Sequence, residues 1–230
     1  MLSPTVFVVA DESAVLDALA DLFKQAKLHA EMFASAESFL AQFDPERPGC
    51  LVLDMSLPGM GGAGLHRALV QRKAIIPVII LMNHSDARNA MEVMKGGAMD
   101  FFEKPFDGKA LLGAVKFAIR VDDVNRHFLR LRTDVMNRFA QLTRRERQIM
   151  DIMLESKSSR EIAGELNMST RTVEFHRASI MKKMGAASLV DLVRMVAMAF
   201  ECHCVHKHKY NHLQGIVLTP NTLSVSSQSA

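Results

Sequence analysis

Two apolar rhythms divide the chain. Up to about residue 120, short apolar runs alternate with helical patterns. Thr5-Val-Phe-Val-Val-Ala10 reads as a buried strand, and Val15, Leu16, Leu19, Leu22 and Phe23 follow at helical spacing. Next come a weak strand at 29–33, a helix at 35–43 and a strand Cys50-Leu-Val-Leu-Asp54. A helix at about 62–73, a strand Pro77-Val-Ile-Ile-Leu-Met82, a helix at 86–96, a strand Asp100-Phe-Phe-Glu103 and a helix from Asp107 complete the series. Five strands alternating with five helices predict an α/β doubly wound domain: a five-stranded parallel sheet covered on both faces.

The second rhythm is purely helical. From Asp107 to Gln141 there is no Pro, and no Gly after Gly113, so one long helix can leave the first domain. Phe117, Val121, Val124, Phe128, Leu131, Val135 and Phe139 recur along it at three- and four-residue steps. That stripe suits a dimer seam or packing on the two domains, with the dimer preferred. No Gly/Ser-rich linker intervenes, which predicts a stiff coupling.

Leu142 to Arg194 then reads as four short helices. Thr143-Arg-Arg-Glu146, Ser158-Ser-Arg-Glu161 and Ser188-Leu-Val-Asp191 each set a hydroxyl three residues before an acid, the pattern of a capping box. Ser169 reads as a further N-cap. Asn167-Met-Ser169 leaves room only for the turn of a helix-turn-helix. Ile162, Ala163, Leu166, Val173, Ile180 and Met184 form its inner stripe. Arg171, Glu174, His176, Arg177, Lys182 and Lys183 lie on the outer face of its second helix, a cationic face suited to a DNA major groove. The predicted divisions are residues 1–122, a helical linker 123–141, an all-α helix-turn-helix domain 142–200 and a tail 201–230.

Charge sharpens this division. The net +3 of the chain is uneven: residues 1–122 hold 12 Lys/Arg against 15 Asp/Glu, and residues 143–199 hold 10 against 7. The basic excess sits where phosphates would be met. No apolar run reaches eighteen residues, and the start lacks a cationic segment before Asp11, so neither a membrane span nor a signal peptide is expected. Three cysteines do not suggest a disulfide framework, and the cytoplasm is the expected compartment.

Ligands of parallel sheets gather at the carboxyl ends of the strands. Those ends offer Asp11 and Glu12, Asp54, and Lys104-Pro105. Acids from two strands suit a hard cation such as Mg2+, a lysine beside them suits a phosphoryl oxygen, and Asp54 suits a carboxylate nucleophile. A phosphatase built on Asp54 would need a second acid two residues on, where Ser56 stands, so no enzyme is expected.

Two stretches carry a family resemblance. Thr143, Arg145, Glu146 and Gln148, then Ser158, Glu161-Ile-Ala163, Leu166, Ser169, Thr172-Val173, His176-Arg177, Ile180-Met181 and Lys183-Met184, make about fifty residues similar to the LuxR-type helix-turn-helix of NarL/FixJ-type response regulators. Asp54 with Leu57-Pro-Gly-Met-Gly61, and Glu103-Lys-Pro-Phe106, make residues 5–120 resemble a flavodoxin-like receiver domain. The resemblance implies a transcription regulator that binds double-stranded DNA, forms a homodimer and takes phosphate from a sensor histidine kinase. It implies Asp54 as phosphoacceptor, Asp11 and the backbone carbonyl of Ser56 as metal ligands, Lys104 as the phosphoryl-binding lysine and Phe101 at an aromatic switch position. In the helix-turn-helix it implies base-edge contacts from Glu174, Phe175 and Ala178, and backbone contacts from Thr172, His176, Arg177 and Lys182, beside Arg171.

Two departures bear on the switch. Where receivers of this kind carry an acid before Asp11 stands Ala10, with Glu12 as a partial substitute. Where they end the fourth strand in Thr or Ser stands Met82, which donates no hydrogen bond; Asn83 or Ser85 offers a replacement donor. Weaker Mg2+ binding and impaired phosphorylation coupling are therefore expected. The alternative is a regulator independent of phosphorylation, whose receiver senses a ligand or partner. In the tail, Cys202, His203, Cys204, His206, His208 and His212 match no structural zinc spacing, so no built metal site is expected, and the Ser-rich end is expected to be disordered.

Overall fold

The computed structural model of the chain describes residues 3–84 and 87–200. Ser85, the Cys/His series from Cys202 to His212 and the Ser-rich end lie outside the described residues. Five parallel strands, β1 (Thr5–Val9), β2 (His29–Phe33), β3 (Gly49–Asp54), β4 (Val78–Met82) and β5 (Asp100–Glu103), form one sheet in the order β2-β1-β3-β4-β5. The helices α1 (Ser13–Gln25), α2 (Ala36–Gln42), α3 (Gly61–Gln71), α4 (Ala87–Lys95) and α5 (Gly108–Ala140) follow the strands in turn. Every predicted element is present, with ends displaced by one or two residues; Ala10, for instance, lies just past β1.

Alternation within each strand sorts residues between two cores. Phe7, Val9, Leu51, Leu53 and Ile80 meet Phe39, Leu65, Leu69 and Val93 on one face. Val6, Val8, Val52, Ile79 and Leu81 meet Leu19, Phe23, Leu111, Val115 and Ala118 on the other. The central strands are buried on both faces, so every residue of β1, β3 and β4 is buried.

α5 continues unbroken for 33 residues, about 50 Å. It spans the predicted boundary at residue 122 and the whole predicted linker. Near its end Val135 is buried, and Phe139 partly so, against the core of the following helices, so these two members of the stripe belong to that core rather than to a continuing seam.

α6 (Arg144–Leu154), α7 (Ser159–Leu166), α8 (Thr170–Met184) and α9 (Leu189–Phe200) share that third core, built on Leu142, Ile149, Met150, Met153, Ile162, Val173, Ile180, Met184 and Leu192. Thr143 with Glu146, and Ser158 with Glu161, close capping boxes, each contributing about 1 kcal/mol through its cap. At α9 the geometry differs from the expectation. Ser188 Oγ accepts from the Asp191 N–H, but the Asp191 carboxylate reaches one residue further back, to the Ala187 N–H at 3.1 Å. Asn167, in the left-handed region at φ 49°, closes α7 and makes the sharp turn into α8.

Candidate functional site

The first cluster sits at the carboxyl ends of β1, β3 and β5. Asp54, the last residue of β3, is fully buried, while Asp11 and Glu12 are exposed beyond β1. One carboxylate oxygen from each lies within 4.8 Å of the others. Lys104, just past β5, donates to Asp54 Oδ2 and, at 3.2 Å, to Glu12 Oε1. Burial pulls the Lys104 ammonium down, but hydrogen bonds and charge from Asp54 and Glu12 outweigh it, and the net displacement is upward. The donors facing this space are carboxylate oxygens, which fits a hard divalent cation.

Backbone geometry completes the floor. The Ser56 N–H donates to Asp54 Oδ1 at 3.0 Å. The start of α3 presses on the end of β3: a Cβ on Gly62 would stand 2.5 Å from the Asp54 carbonyl oxygen, so only glycine fits. Met82 is 6% exposed and packs into the core with Met55 and Leu57. Asn83, the residue after it, turns back toward the site and donates from Nδ2 to Ser56 Oγ at 2.9 Å. A hydrogen-bonded path therefore runs from the end of β4 through Ser56 to Asp54. Phe101, half exposed on the edge strand β5, stands apart from this path. An open cleft of about 500 Å³ beside the cluster is lined by Glu12, Ala14, Val15, Ala18, Asn83, Lys104, Pro105 and Phe106.

The second surface is α8. Ser169 Oγ accepts from the Thr172 N–H and lies 2.7 Å from the Thr172 hydroxyl, which fixes the first turn. Val173, Ile180 and Met184 face the core. Arg171, Thr172, Glu174, Phe175, Ala178 and Lys182 are exposed, Phe175 to 72%, and His176 and Arg177 are half-buried. Arg177 Nη1 donates to the Lys157 carbonyl at 3.3 Å, tying α8 to the turn before α7.

Lys183 corrects the sequence reading. It lies not on the outer face but against Glu146, Nζ to Oε2 at 2.7 Å. Glu146 also accepts from Ser179 Oγ at 2.7 Å and from the Thr143 N–H. Burial alone would raise its pKa, but the bonds from Lys183, Ser179 and Thr143 hold it at about 2. The cationic face thus rests on Arg171, Arg177 and Lys182, with His176 beside them.

A third cluster went unnoticed in the sequence. Asp122 and Arg126, one turn apart on α5, are both buried, against the amino end of β3. Asp122 Oδ2 accepts from the Gly49 N–H at 2.8 Å and from Arg126 Nε at 2.7 Å. Arg126 also donates to the carbonyls of Pro45 at 2.8 Å and Arg47 at 2.7 Å. Both residues continue the buried register of Leu111, Val115 and Ala118, and a charged pair at core positions of a helix was the available signal.

Comparison with known proteins agrees with both halves. Residues 6–116 match the response regulator receiver domain, and residues 140–196 match the bacterial regulatory proteins of the luxR family. The transcriptional regulatory protein FixJ of Azorhizobium caulinodans is 39% identical over 194 residues, covering 84% of this chain and 92% of that protein. The response regulator protein TodT of Pseudomonas putida is 35% identical over 190 residues, covering 83% and 84%. Among solved structures, the response regulator StyR superposes with a TM-score of 0.77 at 36% identity, over 84% of this chain and 98% of that one. Full-length FixJ from B. japonicum gives 0.54 at 34% identity, over 86% and 98%. Two matched modules in one order, and relatives aligned along nearly their whole length, place the chain in the NarL/FixJ-type two-component response regulators, DNA-binding transcription regulators with a receiver and a LuxR-type helix-turn-helix.

Proposed function

We propose that Asp54 accepts a phosphoryl group from a sensor histidine kinase, and that this modification shifts DNA binding only weakly. The observation carrying the first part is Lys104 bonded to both Asp54 and Glu12 beside Asp11. In the transfer, an Asp54 oxygen attacks phosphorus while the bond from phosphorus to the donor imidazole nitrogen breaks and its electron pair returns to the ring. Lys104 then exchanges its carboxylate partner for a phosphoryl oxygen. Asp11, Asp54 and the Ser56 carbonyl, with Glu12, would hold Mg2+, which supplies positive charge against the phosphoryl oxygens when bound. With Ala10 in place of a further acid, that ion is held less tightly.

The second part rests on Met82. A hydroxyl at this position would give the phosphoryl group a charged hydrogen bond of about 1.5–3 kcal/mol. A ligand shifts a two-state element only by its differential interaction with the two states. Losing that contribution reduces the shift roughly tenfold to a hundredfold. With Met82 buried in the core and Asn83 bonded to Ser56, the unphosphorylated protein is expected to bind its operator already.

The output is binding of double-stranded DNA by a homodimer in the cytoplasm, through α8. Glu174, Phe175 and Ala178 meet base edges; Arg171, Thr172, His176, Arg177 and Lys182 meet the backbone. Among the described residues no helix is long and apolar enough to cross a membrane.

Operator affinity with and without acetyl phosphate and Mg2+ tests the proposal. Wild type and Asp54→Asn are expected to bind alike without phosphodonor, and wild type to gain little with it. Ala10→Asp with Met82→Thr is expected to gain tenfold or more. A large phosphorylation-driven gain in the wild-type protein, abolished in Asp54→Asn, would refute the weak-switch reading and leave the ordinary one.

A further inference from the structure

We propose that the outward face of α5 is one half of a parallel two-helix seam whose other half is a second copy of this chain. This deepens the homodimer reading above and rests on it. Leu111, Val115, Ala118 and Asp122 are the side of α5 buried on the sheet. Phe117, Val121, Val124, Phe128 and Leu131 fall within an arc of about 80°, centred about 130° away round the helix. Phe117 is 39% exposed, Val124 51% and Phe128 50%, and Val121 and Leu131 are half-buried. Scattered surface apolars need no cause. Five successive positions at steps of four, three, four and three, with no polar residue inside the arc, are the a and d positions of a heptad. The run spans about 21 Å and ends where Val135 turns into the core of the DNA-binding domain.

The geometry favours a second copy. An a/d seam is self-complementary, and both flanks tolerate its own image. In parallel register Arg120 faces the neutral Asn125 of the copy, and Arg132 faces its His127, so no two fixed like charges are opposed. Antiparallel pairing would set Arg120 against Asp134, a better charge match, but would throw the two DNA-binding domains to opposite ends of the rod. Only the parallel arrangement delivers both helix-turn-helix units to one end, where a twofold DNA site needs them. Two heptads are fewer than the three or four of a free-standing coiled coil. The seam is therefore a weak one that tightens when both units engage DNA.

The test uses the full chain with Cys202→Ser and Cys204→Ser, which leaves Cys50, a buried thiol. Val124→Cys is expected to give an oxidised dimer on a non-reducing gel, because a d position faces itself across a parallel seam. Leu129→Cys, on another face of the helix, is expected to stay monomeric on the same gel. Val124→Glu with Phe128→Glu is expected to weaken the dimer at least about tenfold in sedimentation, with helical circular dichroism retained. If that variant unfolds, the cysteine result alone decides. A protein that dimerises in sedimentation but gives no cross-link at 124 has its interface elsewhere, which overturns the seam and leaves the homodimer reading intact. Cross-linking only between a Val124→Cys chain and a Phe128→Cys chain overturns the parallel arrangement. In a companion Val124→Cys chain that keeps Cys202 and Cys204, an intramolecular disulfide from position 124 to either of them makes the tail the occupant and overturns the proposal. A strict monomer with and without operator DNA ends both readings.

Discussion

Arg126→Met isolates the fastening of α5. Arg126 is bonded to Asp122 and to the carbonyls of Pro45 and Arg47, all at 2.7–2.8 Å. Removing it leaves the Asp122 carboxylate 1% exposed with only the Gly49 N–H for a partner. Asp122 Oδ1 already lacks a hydrogen-bond partner in the intact protein. Breaking a buried pair by deleting one member costs about 3–5 kcal/mol, because the remaining charge is uncompensated. The direction of the Asp122 pKa shows which effect wins. Burial raises it, and the bonds from Arg126 and Gly49 do not bring it back to its ordinary value. Burial of the carboxylate thus outweighs the bonds it receives, and removing both charges is expected to be milder than removing one. In Asp122→Ala with Arg126→Met the Pro45 and Arg47 carbonyls are freed as in the single variant, but the stranded carboxylate is replaced by an orphaned Gly49 N–H, about 1–3 kcal/mol. The expected order of stability is wild type, then the double variant, then Arg126→Met. Urea unfolding followed by circular dichroism measures it. A double variant less stable than Arg126→Met, or an Arg126→Met within about 0.5 kcal/mol of wild type, would refute the reasoning.

Other consequences are measurable. Glu146 has a folded pKa of about 2 against an ordinary 4.5, so its stabilising contribution is complete above pH 4.5 and is lost as pH falls toward 2. Glu146→Gln should flatten the fall of the thermal midpoint over that range, and an unchanged slope would remove Glu146 from its cause. In gel shifts across a salt series, Arg177→Ala should weaken binding to every sequence and reduce the salt slope by about one; wild-type behaviour would refute the docking. Glu174→Ala should change base preference more than affinity, which selection from a randomised operator reads directly.

Strand and helix order were legible because central parallel strands must be apolar on both faces and the helices carry their own start signals. Thr143 and Ser158 show this most directly: hydroxyl, spacing and acid give the helix start without tertiary information. The convergence of Asp11, Glu12, Asp54 and Lys104 was legible too, since a parallel sheet brings strand ends to one edge. What escaped notice depends on pairing across long distances. Lys183 looks like any basic residue of a recognition helix until Glu146, 37 residues earlier, is folded beneath it. Arg126 has its carbonyl partners 81 and 79 residues away, and no local spacing announces them. Asn83 followed Met82 as one of two candidate donors, and its bond to Ser56, 27 residues earlier, depends on the residue just past β4 meeting the one just past β3.

These pieces meet in α5. The helix is capped by Asp107, whose side chain accepts from the Lys109 N–H, only three residues past Lys104. Its origin therefore lies beside the phosphoacceptor candidate, while Asp122 and Arg126 clamp it at the amino end of β3. Beyond the clamp it continues without a break into the core that holds α8. A shift of the loop that carries Lys104 thus has two ends to work against. If the clamp holds, the rod keeps its direction and the receiver acts mainly by changing which surfaces meet a second copy. If the clamp yields, the rod pivots and the receiver acts by re-aiming the DNA-binding domain. The buried pair favours the first, because moving Arg126 strands a carboxylate and frees two carbonyls at once. On the proposed reading, a receiver that acts through assembly loses less from a methionine in place of the switch hydroxyl than one that acts through a pivot.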